Sequence, residues 1–236
     1  MAASVALPVV ALPVIVFNMQ GANHSKWTTL RNQLTEPGRE RKASSKIALV
    51  QETGKPPVAE ADDRGGLKIY NWGSWCIYTL EFGKNLRCTT GVVVPEHLRK
   101  EIKAYTALKP SNFDPNDDRR RKLLCLQIGD ADTNVWYCSI HAPASVNAVP
   151  YSVEMLKQCR SRFAKFVCGG DFNCSKQELV AGLEADNITD LTVTEPEEAT
   201  HTSGKIDYVV SRGIVYAPKV QGSSESDHGW AEFAPP

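Results

Sequence analysis

The sequence predicts an α/β domain with many strands, and three observations lead to this prediction. With 42% hydrophobic and 23% charged residues in 236 positions, the chain can bury a sizeable core. Short β-branched runs alternate with patterns of helical period along its length. No Gly/Ser-rich or Pro-rich linker divides it into separately patterned halves, so we expect a single domain over residues 1–236.

Apolar runs rich in β-branched residues predict the strands. In order, these runs are residues 14–17, 47–50, 76–80, 91–94, 123–128, 135–140, 166–168 and 206–210. Apolar residues spaced by three and four predict a helix over 27–34 and another over 153–163, which begins after Pro150. Ser175 and Glu178 form a capping-box pattern at the start of a third helix.

The overall charge does not indicate a polyanion-binding protein. Lys plus Arg and Asp plus Glu both number 27, so no global positive field attracts nucleic acid or an anionic membrane. The basic run 119–122, which follows the acidic, turn-prone residues 114–118, is a local candidate for holding phosphate. A solvated charged loop explains this run equally well.

Cysteine usage argues against a disulfide framework and disfavours a structural zinc site. The chain has seven cysteines, and Cys76, Cys125, Cys138 and Cys168 lie in apolar, strand-like runs, where a thiol behaves as a small hydrophobe. No pair has the spacing of a zinc motif, and the histidines are not arranged around the cysteines.

The amino-terminal segment is apolar but is not a typical signal peptide. Residues 1–16 lack a basic leading region and are interrupted by Pro8 and Pro13. If the protein is secreted, we expect its leader to lie outside this sequence. No run approaches the ~20 apolar residues that a membrane span requires, so no transmembrane segment is expected.

Polar residues suited to metal binding and proton transfer occur immediately beyond the predicted strands. They are Asn18, Gln51, Glu52, His141, Asp171 and Asn173. In α/β sheets such strand ends present functional groups, because the core fixes the backbone while the loop opens to solvent. The sequence therefore predicts a site drawn from four strands.

Two later segments add Asp207 and the pair Asp227 and His228. A lone Gln-Glu or Asp-His pair is more often a surface or capping feature than a catalytic one. The segment 169–173 is more specific, because its glycines allow a tight turn while two polar side chains project together.

Taken in this order, the residues resemble the superfamily of metal-dependent endonucleases, exonucleases and phosphatases. Within it, the chain is similar to the DNA-cleaving subunits of cytolethal distending toxins. The shared positions are Asn18, Gln20, Gly21, Ser25, Lys26, Trp27, Thr200, His201, Ser203, Gly204, Asp207 and Tyr208. The resemblance implies an α/β fold of the deoxyribonuclease I type, a four-layered sandwich in which two packed mixed β-sheets are flanked by helices.

The resemblance also implies a metal site. Glu52, Asn18 and Asp227 would bind Mg²⁺, for which Mn²⁺ or Ca²⁺ are candidate substitutes, since hard oxygen ligands suit these ions. Arg121, with Asn173, would contact the substrate phosphate, a role suited to the bidentate fork of arginine.

Catalytic roles follow from the same resemblance. Asp171 and Asn173 would orient or deprotonate the attacking water. His228 paired with Asp207, and His141 opposite, would supply hydrogen bonds and proton transfer at the phosphate. Thr200, His201 and Ser203 are assigned to loop structure around Asp207.

Two departures from the related families affect substrate binding. The toxin subunits carry a second arginine before the strand 76–80, whereas this chain has residues 72–75 of sequence WGSW there. Pancreatic-type deoxyribonucleases supply a glutamate partner to the first histidine, and no equivalent is evident near His141.

The first functional hypothesis is a magnesium-dependent phosphodiesterase, a DNA-nicking endonuclease that acts as the catalytic subunit of a genotoxin. The resemblance implies secretion, toxin binding subunits for delivery, and action in the nucleus of a target cell. With zero net charge, DNA binding should be weak, salt-sensitive and sequence-blind. Two alternatives remain: a phosphoinositide phosphatase on the same fold, and a non-catalytic interaction protein.

Overall fold

Two mixed β-sheets and three α-helices form the part of the chain described by the computed structural model, which is residues 11–35, 44–80, 89–111, 121–129, 134–223 and 227–236. The strands are β1 (Val14–Asn18), β2 (Ile47–Gln51), β3 (Glu60–Arg64), β4 (Leu67–Trp72), β5 (Trp75–Leu80), β6 (Thr90–Pro95), β7 (Ile102–Leu108), β8 (Leu123–Ile128), β9 (Val135–His141), β10 (Phe166–Asp171), β11 (Thr192–Thr194), β12 (Asp207–Arg212), β13 (Ala217–Gly222) and β14 (Trp230–Ala234). The helices are α1 (His24–Leu34), α2 (Ala148–Arg162) and α3 (Lys176–Ala185), with a 3-10 helix at Glu96–Glu101.

The strands divide into an eight-stranded and a six-stranded sheet. The first has the order β13-β14-β1-β2-β6-β5-β4-β3, and the second has the order β11-β12-β10-β9-β8-β7. In each sheet one central pair is parallel, β1 with β2 and β9 with β10, and the other pairs are antiparallel.

Three buried clusters join these elements into four layers. The inner cluster contains Val16, Leu49 and Val167 and fills the space between the sheets. Helices α2 and α3 cover the outer face of the six-stranded sheet, and α1 covers that of the eight-stranded sheet through Trp27. The four-layered sandwich predicted from the sequence is confirmed.

The sheets approach each other closely beneath the strand ends where polar residues were predicted to gather. A Cβ atom added to Gly169 would lie 2.8 Å from Cγ2 of Val16 and 2.9 Å from Cδ1 of Leu49. Beside this contact, the buried Gln51 amide donates to Oγ of Ser139 at 2.9 Å, and that hydroxyl donates to the carbonyl of Val50 at 2.9 Å. A short hydrogen-bonded chain thus links β2 of one sheet to β9 of the other.

We expect Ser139→Ala to lower the free energy of unfolding by about 1–3 kcal/mol, because it leaves the buried Gln51 amide and Val50 carbonyl without this partner. Chemical denaturation of the two proteins measures the difference. Ser161→Ala, which alters an exposed serine of α2, is the control and should change stability by less than about 0.5 kcal/mol. Equal stability of all three proteins would contradict the linking role of Ser139.

The sequence located the central strands but missed several outer ones. Each predicted run overlaps a strand, whereas β3, β4, β7, β11, β13 and β14 were not predicted. Strand β3 has the sequence EADDR and lies at a sheet edge, so it carries no apolar pattern. Helix α2 begins at Ala148, two residues before Pro150, because proline is tolerated in a first turn whose N–H groups have no intrahelical partner.

Candidate active site at the strand ends

Strand register brings the predicted polar residues to one edge of the sandwich. In the parallel pair β1 and β2, Asn18 is the partner of Gln51. In the second sheet, Asp171 is the partner of both His141 on β9 and Asp207 on β12. Both parallel pairs therefore end at polar groups that can bind ions or move protons.

His228 and Asp207 form the best-defined pair of this site. Nδ1 of His228 lies 2.9 Å from Oδ2 of Asp207, and both side chains are buried. Burial lowers the pKa of His228, but the hydrogen bond and charge of Asp207, together with the charges of Asp171 and Asp227, outweigh it, so the pKa is raised above its ordinary value. The imidazole is thereby oriented and favoured in its protonated form.

Asp171 lies at the centre of the site. Its Oδ2 accepts a 2.8 Å hydrogen bond from Nδ2 of Asn18, and its Oδ1 accepts one of 2.8 Å from the backbone N–H of Asn173. The same Oδ2 is 3.9 Å from Nε2 of His228. Burial, followed by the charge of Asp207, raises the pKa of Asp171 to about 7, against the opposing effect of His228. A carboxylate with this pKa can accept a proton near neutrality.

His141 faces Asp171 from β9. Its Nε2 lies 3.7 Å from Oδ2 of Asp171 and 3.6 Å from Oε1 of Glu52. Burial, then the charges of Arg121 and His228, hold the pKa of His141 well below its ordinary value. Among the described residues, no group hydrogen-bonds to its Nδ1. Two carboxylates, those of Glu52 and Asp171, thus approach this histidine, and both do so at Nε2.

Glu52 occupies a turn that joins the loop after β1 to the end of β2. It has a φ of +49°, unusual for glutamate, and its carbonyl accepts hydrogen bonds from the N–H groups of Gly21 and Ala22. These bonds help hold the strained conformation and direct the partly buried carboxylate toward His141. Backbone strain of this kind concentrates at functional sites.

Arg121 and Asn173 are anchored to the same backbone carbonyl. Nη1 of Arg121 donates to the carbonyl of Ala142 at 3.1 Å, and Nδ2 of Asn173 donates to it at 2.9 Å. The hydroxyl of Tyr151 in α2 donates to the Arg121 carbonyl at 2.8 Å. The two residues predicted to contact phosphate therefore lie side by side next to His141. Residues 119 and 120 of the basic run lie outside the described residues.

Asp227 is connected to the site through His201 and His228. Its Oδ2 lies 3.3 Å from Nε2 of His201, whose ring packs against His228 with centroids 4.4 Å apart. The N–H of Ser203 donates to Nδ1 of His201 at 2.9 Å, so the proton of a neutral ring is on Nε2 and faces Asp227. Thr200 accepts from the backbone N–H of Asp207 at 3.3 Å. The loop that carries Thr200 and His201 therefore contacts both Asp207 and Asp227.

Carboxylate and amide oxygens, the ligand types that hard divalent cations prefer, occur at this edge beside histidines. Oε1 of Glu52 lies 3.6 Å from Nε2 of His141, the amide oxygen of Asn18 accepts from the N–H of Gln20 at 3.0 Å, and Oδ2 of Asp227 lies 3.3 Å from Nε2 of His201. Ligand atoms of Asp171, Asp207 and His228 lie within 4.8 Å of one another, as do those of His201, Asp227 and His228. Oδ1 of Asp207 is buried and has no hydrogen-bond partner among the described residues.

Sequence reasoning missed contributors whose role depends on three-dimensional packing. Ser139 anchors Gln51, and His201 contacts Asp227. A cavity of about 340 Å³ beside the site, lined in part by His201, Asp227 and Trp230, was not predicted. The signal for Ser139 was present, because it is a polar residue within an otherwise apolar buried run two positions before His141.

Two mixed sheets in this order, flanked by helices and ending in these polar groups, define the deoxyribonuclease I-like fold. No protein-family model and no curated protein sequence matches the chain. Solved structures do match it. The Leptotrichia buccalis endonuclease/exonuclease/phosphatase family protein aligns with a TM-score of 0.68 and 12% identity, covering 96% of this chain and 100% of that chain.

Cytolethal distending toxin structures are similar over the same length. The Haemophilus ducreyi toxin gives a TM-score of 0.72 at 20% identity, covering 95% of this chain and 98% of that chain. The biologically active subunit of cytolethal distending toxin gives a TM-score of 0.72 at 18% identity, covering 97% of this chain and 99% of that chain. At these identities the likeness establishes the fold, and the resemblance predicted from the sequence is confirmed at that level.

Proposed function

We propose that this protein is a magnesium-dependent phosphodiesterase that nicks DNA. The observation that carries the proposal is the convergence of two buried histidines on one carboxylate. His141 and the Asp207-bound His228 approach Oδ2 of Asp171 from different strands, at 3.7 and 3.9 Å. A structural role alone does not require two histidines and two aspartates to be buried together, because each buried charge is costly unless it is paired.

The chemistry of a phosphodiester assigns a task to each group. The diester is an anion that repels nucleophiles, so hydrolysis needs an activated water and a cationic environment for the phosphate. Asp171, whose pKa is raised to about 7, accepts the proton of the attacking water, and Asn173 orients that water. The protonated His228 donates a hydrogen bond or a proton at the phosphate or the leaving oxygen, while Asp207 keeps its ring in place.

Glu52, Asn18 and Asp227 are the residues that would hold magnesium, with Mn²⁺ or Ca²⁺ as candidate substitutes. When bound, the ion supplies charge neutralisation at the scissile phosphate. Two observations support this assignment: the Asn18 amide donates to Asp171, and the carboxylates of Glu52 and Asp171 both approach Nε2 of His141.

DNA is the proposed substrate, held through its phosphates. Arg121 and Asn173 lie next to His141 and supply cationic and amide donors. Where the toxin subunits carry a second arginine, this chain has Trp72 and Trp75, which are buried; Trp72 packs against Trp27 with ring centroids 5.3 Å apart. We therefore propose a weaker, salt-sensitive DNA contact without sequence preference.

Delivery remains part of the proposal. The likeness to cytolethal distending toxin supports secretion and association with toxin binding subunits, followed by action in a target-cell nucleus. No helix among the described residues combines the length and apolarity needed to cross a bilayer.

A plasmid-nicking assay tests the enzymatic proposal. We expect the protein to nick supercoiled plasmid with Mg²⁺, to lose this activity with chelator, and to lose about 10²–10⁴-fold in rate on His141→Ala, because a positioned acid or base contributes this much. His97→Ala, at an exposed histidine of the 3-10 helix, is the matched control and should nick like the wild type.

The alternative functions predict different results in this assay and in a parallel assay of phosphate release. Equal nicking with chelator and in His141→Ala would contradict the mechanism. Phosphate release from a soluble phosphoinositide without nicking would make the protein a phosphatase on this fold. Absence of magnesium-dependent turnover on both substrates would favour a non-catalytic interaction protein.

A further inference from the structure

Three cysteines from separate elements meet beneath helix α2. Cys125 on β8 and Cys138 on β9 are direct partners in the antiparallel ladder, and Cys159 lies in α2 above them. Their sulfur atoms all lie within 4.8 Å of one another, and all three residues are fully buried. The cluster belongs to the layer between the six-stranded sheet and its helices.

A fourth cysteine extends this group along the sheet. Cys168 on β10 is the register partner of Cys138 in the parallel pair, and it belongs to the same core cluster. Cysteines therefore occupy one level of three adjacent strands, with a further cysteine in the covering helix. Sequence spacing gives no sign of this arrangement, because the ligands come from different elements.

The sulfur positions are compatible with three ligands of one metal ion. A tetrahedral zinc site with Zn–S bonds of about 2.3 Å places its sulfurs about 3.8 Å apart. The three sulfurs here lie within 4.8 Å of one another. Thiolates are soft ligands that select zinc or copper(I) over the hard ions that suit the strand-end site. An apolar core needs volume at these positions but does not require three sulfurs in mutual contact.

The pKa values of the three thiols shift in different directions. Burial raises the pKa of Cys159, but hydrogen bonds from the thiols of Cys125 and Cys138, with the charge of Arg162, outweigh it and lower the pKa below its ordinary value. Burial raises the pKa of Cys125 and Cys138 themselves. Metal binding would displace the thiol protons and release them to solvent.

We propose that Cys125, Cys138 and Cys159 form a buried binding site for a thiophilic metal ion of the Zn²⁺ type, with Cys168 beside it as an additional sulfur. The site would crosslink α2 to β8 and β9. Because Tyr151 in α2 bonds to the Arg121 carbonyl, the crosslink would also support the position of the proposed phosphate-binding arginine. The inference of this metal site does not rest on the proposed nuclease activity.

Cobalt(II) titration of the reduced full-length protein under anaerobic conditions tests the proposal. We expect thiolate-to-cobalt charge-transfer absorption that saturates at one equivalent and disappears when Zn²⁺ is added. Cobalt at the oxygen-rich strand ends would not produce this sulfur-specific absorption, so the two sites are distinguished. Native thiol labelling with and without Zn²⁺ gives a second readout that needs no variant, and the metal should slow labelling of the three cysteines.

Variants then assign the ligands. Cys159→Ala should abolish the charge-transfer absorption and weaken Zn²⁺ binding by more than about 100-fold, because even a group that only supports a ligand contributes up to that much. Cys125→Ala serves the same purpose if Cys159→Ala does not fold. Cys76→Ala, at a buried cysteine of the other sheet, should bind like the wild type. Two results would overturn the proposal. One is a folded wild-type protein that shows neither the charge-transfer absorption nor protection of its cysteines by Zn²⁺. The other is an absorption that is unchanged in the folded Cys159→Ala or Cys125→Ala variant.

Discussion

Replacement of His228 by alanine is expected to lower magnesium-dependent plasmid nicking by about 10²–10⁴-fold, the usual contribution of a positioned acid or base. The ring is held by Asp207 at 2.9 Å, and its Nε2 points toward Asn18 and Asp171. Loss of the ring removes both the proton donor and the charge that opposes the raised pKa of Asp171. Initial rates, normalised to the folded fraction from circular dichroism, measure the effect.

A second variant separates the orienting role of Asp207 from its charge. Asp207→Asn keeps the shape of the side chain but removes the carboxylate that stabilises the protonated imidazole, so we expect an intermediate loss of rate. Because the two residues act as one unit, the double variant should be no slower than His228→Ala alone. Additive losses, or a His228→Ala rate within tenfold of the wild type, would show that the pair does not work as proposed.

The central fold and the site edge were predictable because both depend on local patterns. Asn18, His141 and Asp171 each end a run of buried apolar residues, and parallel pairing brings such ends to one side of a sheet. The capping box at α3 was also predicted correctly, since Ser175 and Glu178 exchange hydrogen bonds as their spacing indicated. These features need only the period of the sequence and the chemistry of a few side chains.

Features that depend on long-range packing were not predictable. Strand β13 has the pattern APKVQG and lies at the edge of its sheet, where pairing with β14 rather than apolar periodicity determines the strand. The contact between His201 and Asp227 and the meeting of three cysteines under α2 require knowledge of which elements become neighbours. Spacing along the chain carries no such information.

Replacement of Gly170 by alanine is expected to lower both the stability and the activity of the protein. It has a φ of +153°, and a Cβ atom added there would lie 1.9 Å from the carbonyl oxygen of Ile140 and 2.9 Å from Nε2 of Gln51. Gly170→Ala should therefore lower the free energy of unfolding by about 3 kcal/mol or more, through steric overlap added to backbone strain. Thermal unfolding should show a decrease in Tm of at least about 6 °C.

The variant Gly204→Ala separates the effect of steric overlap from that of backbone strain. Gly204 also has a positive φ, +124°, but an added Cβ atom would meet nothing within 4 Å. Only the backbone cost of about 1–2 kcal/mol is expected for this variant. To relieve the overlap at Gly170, β10 would have to move away from β9, which would separate Asp171 from His141 and lower the nicking rate of the molecules that remain folded. A Gly170→Ala protein as stable as Gly204→Ala and fully active would mean that the close approach of these two strands does not position the proposed base.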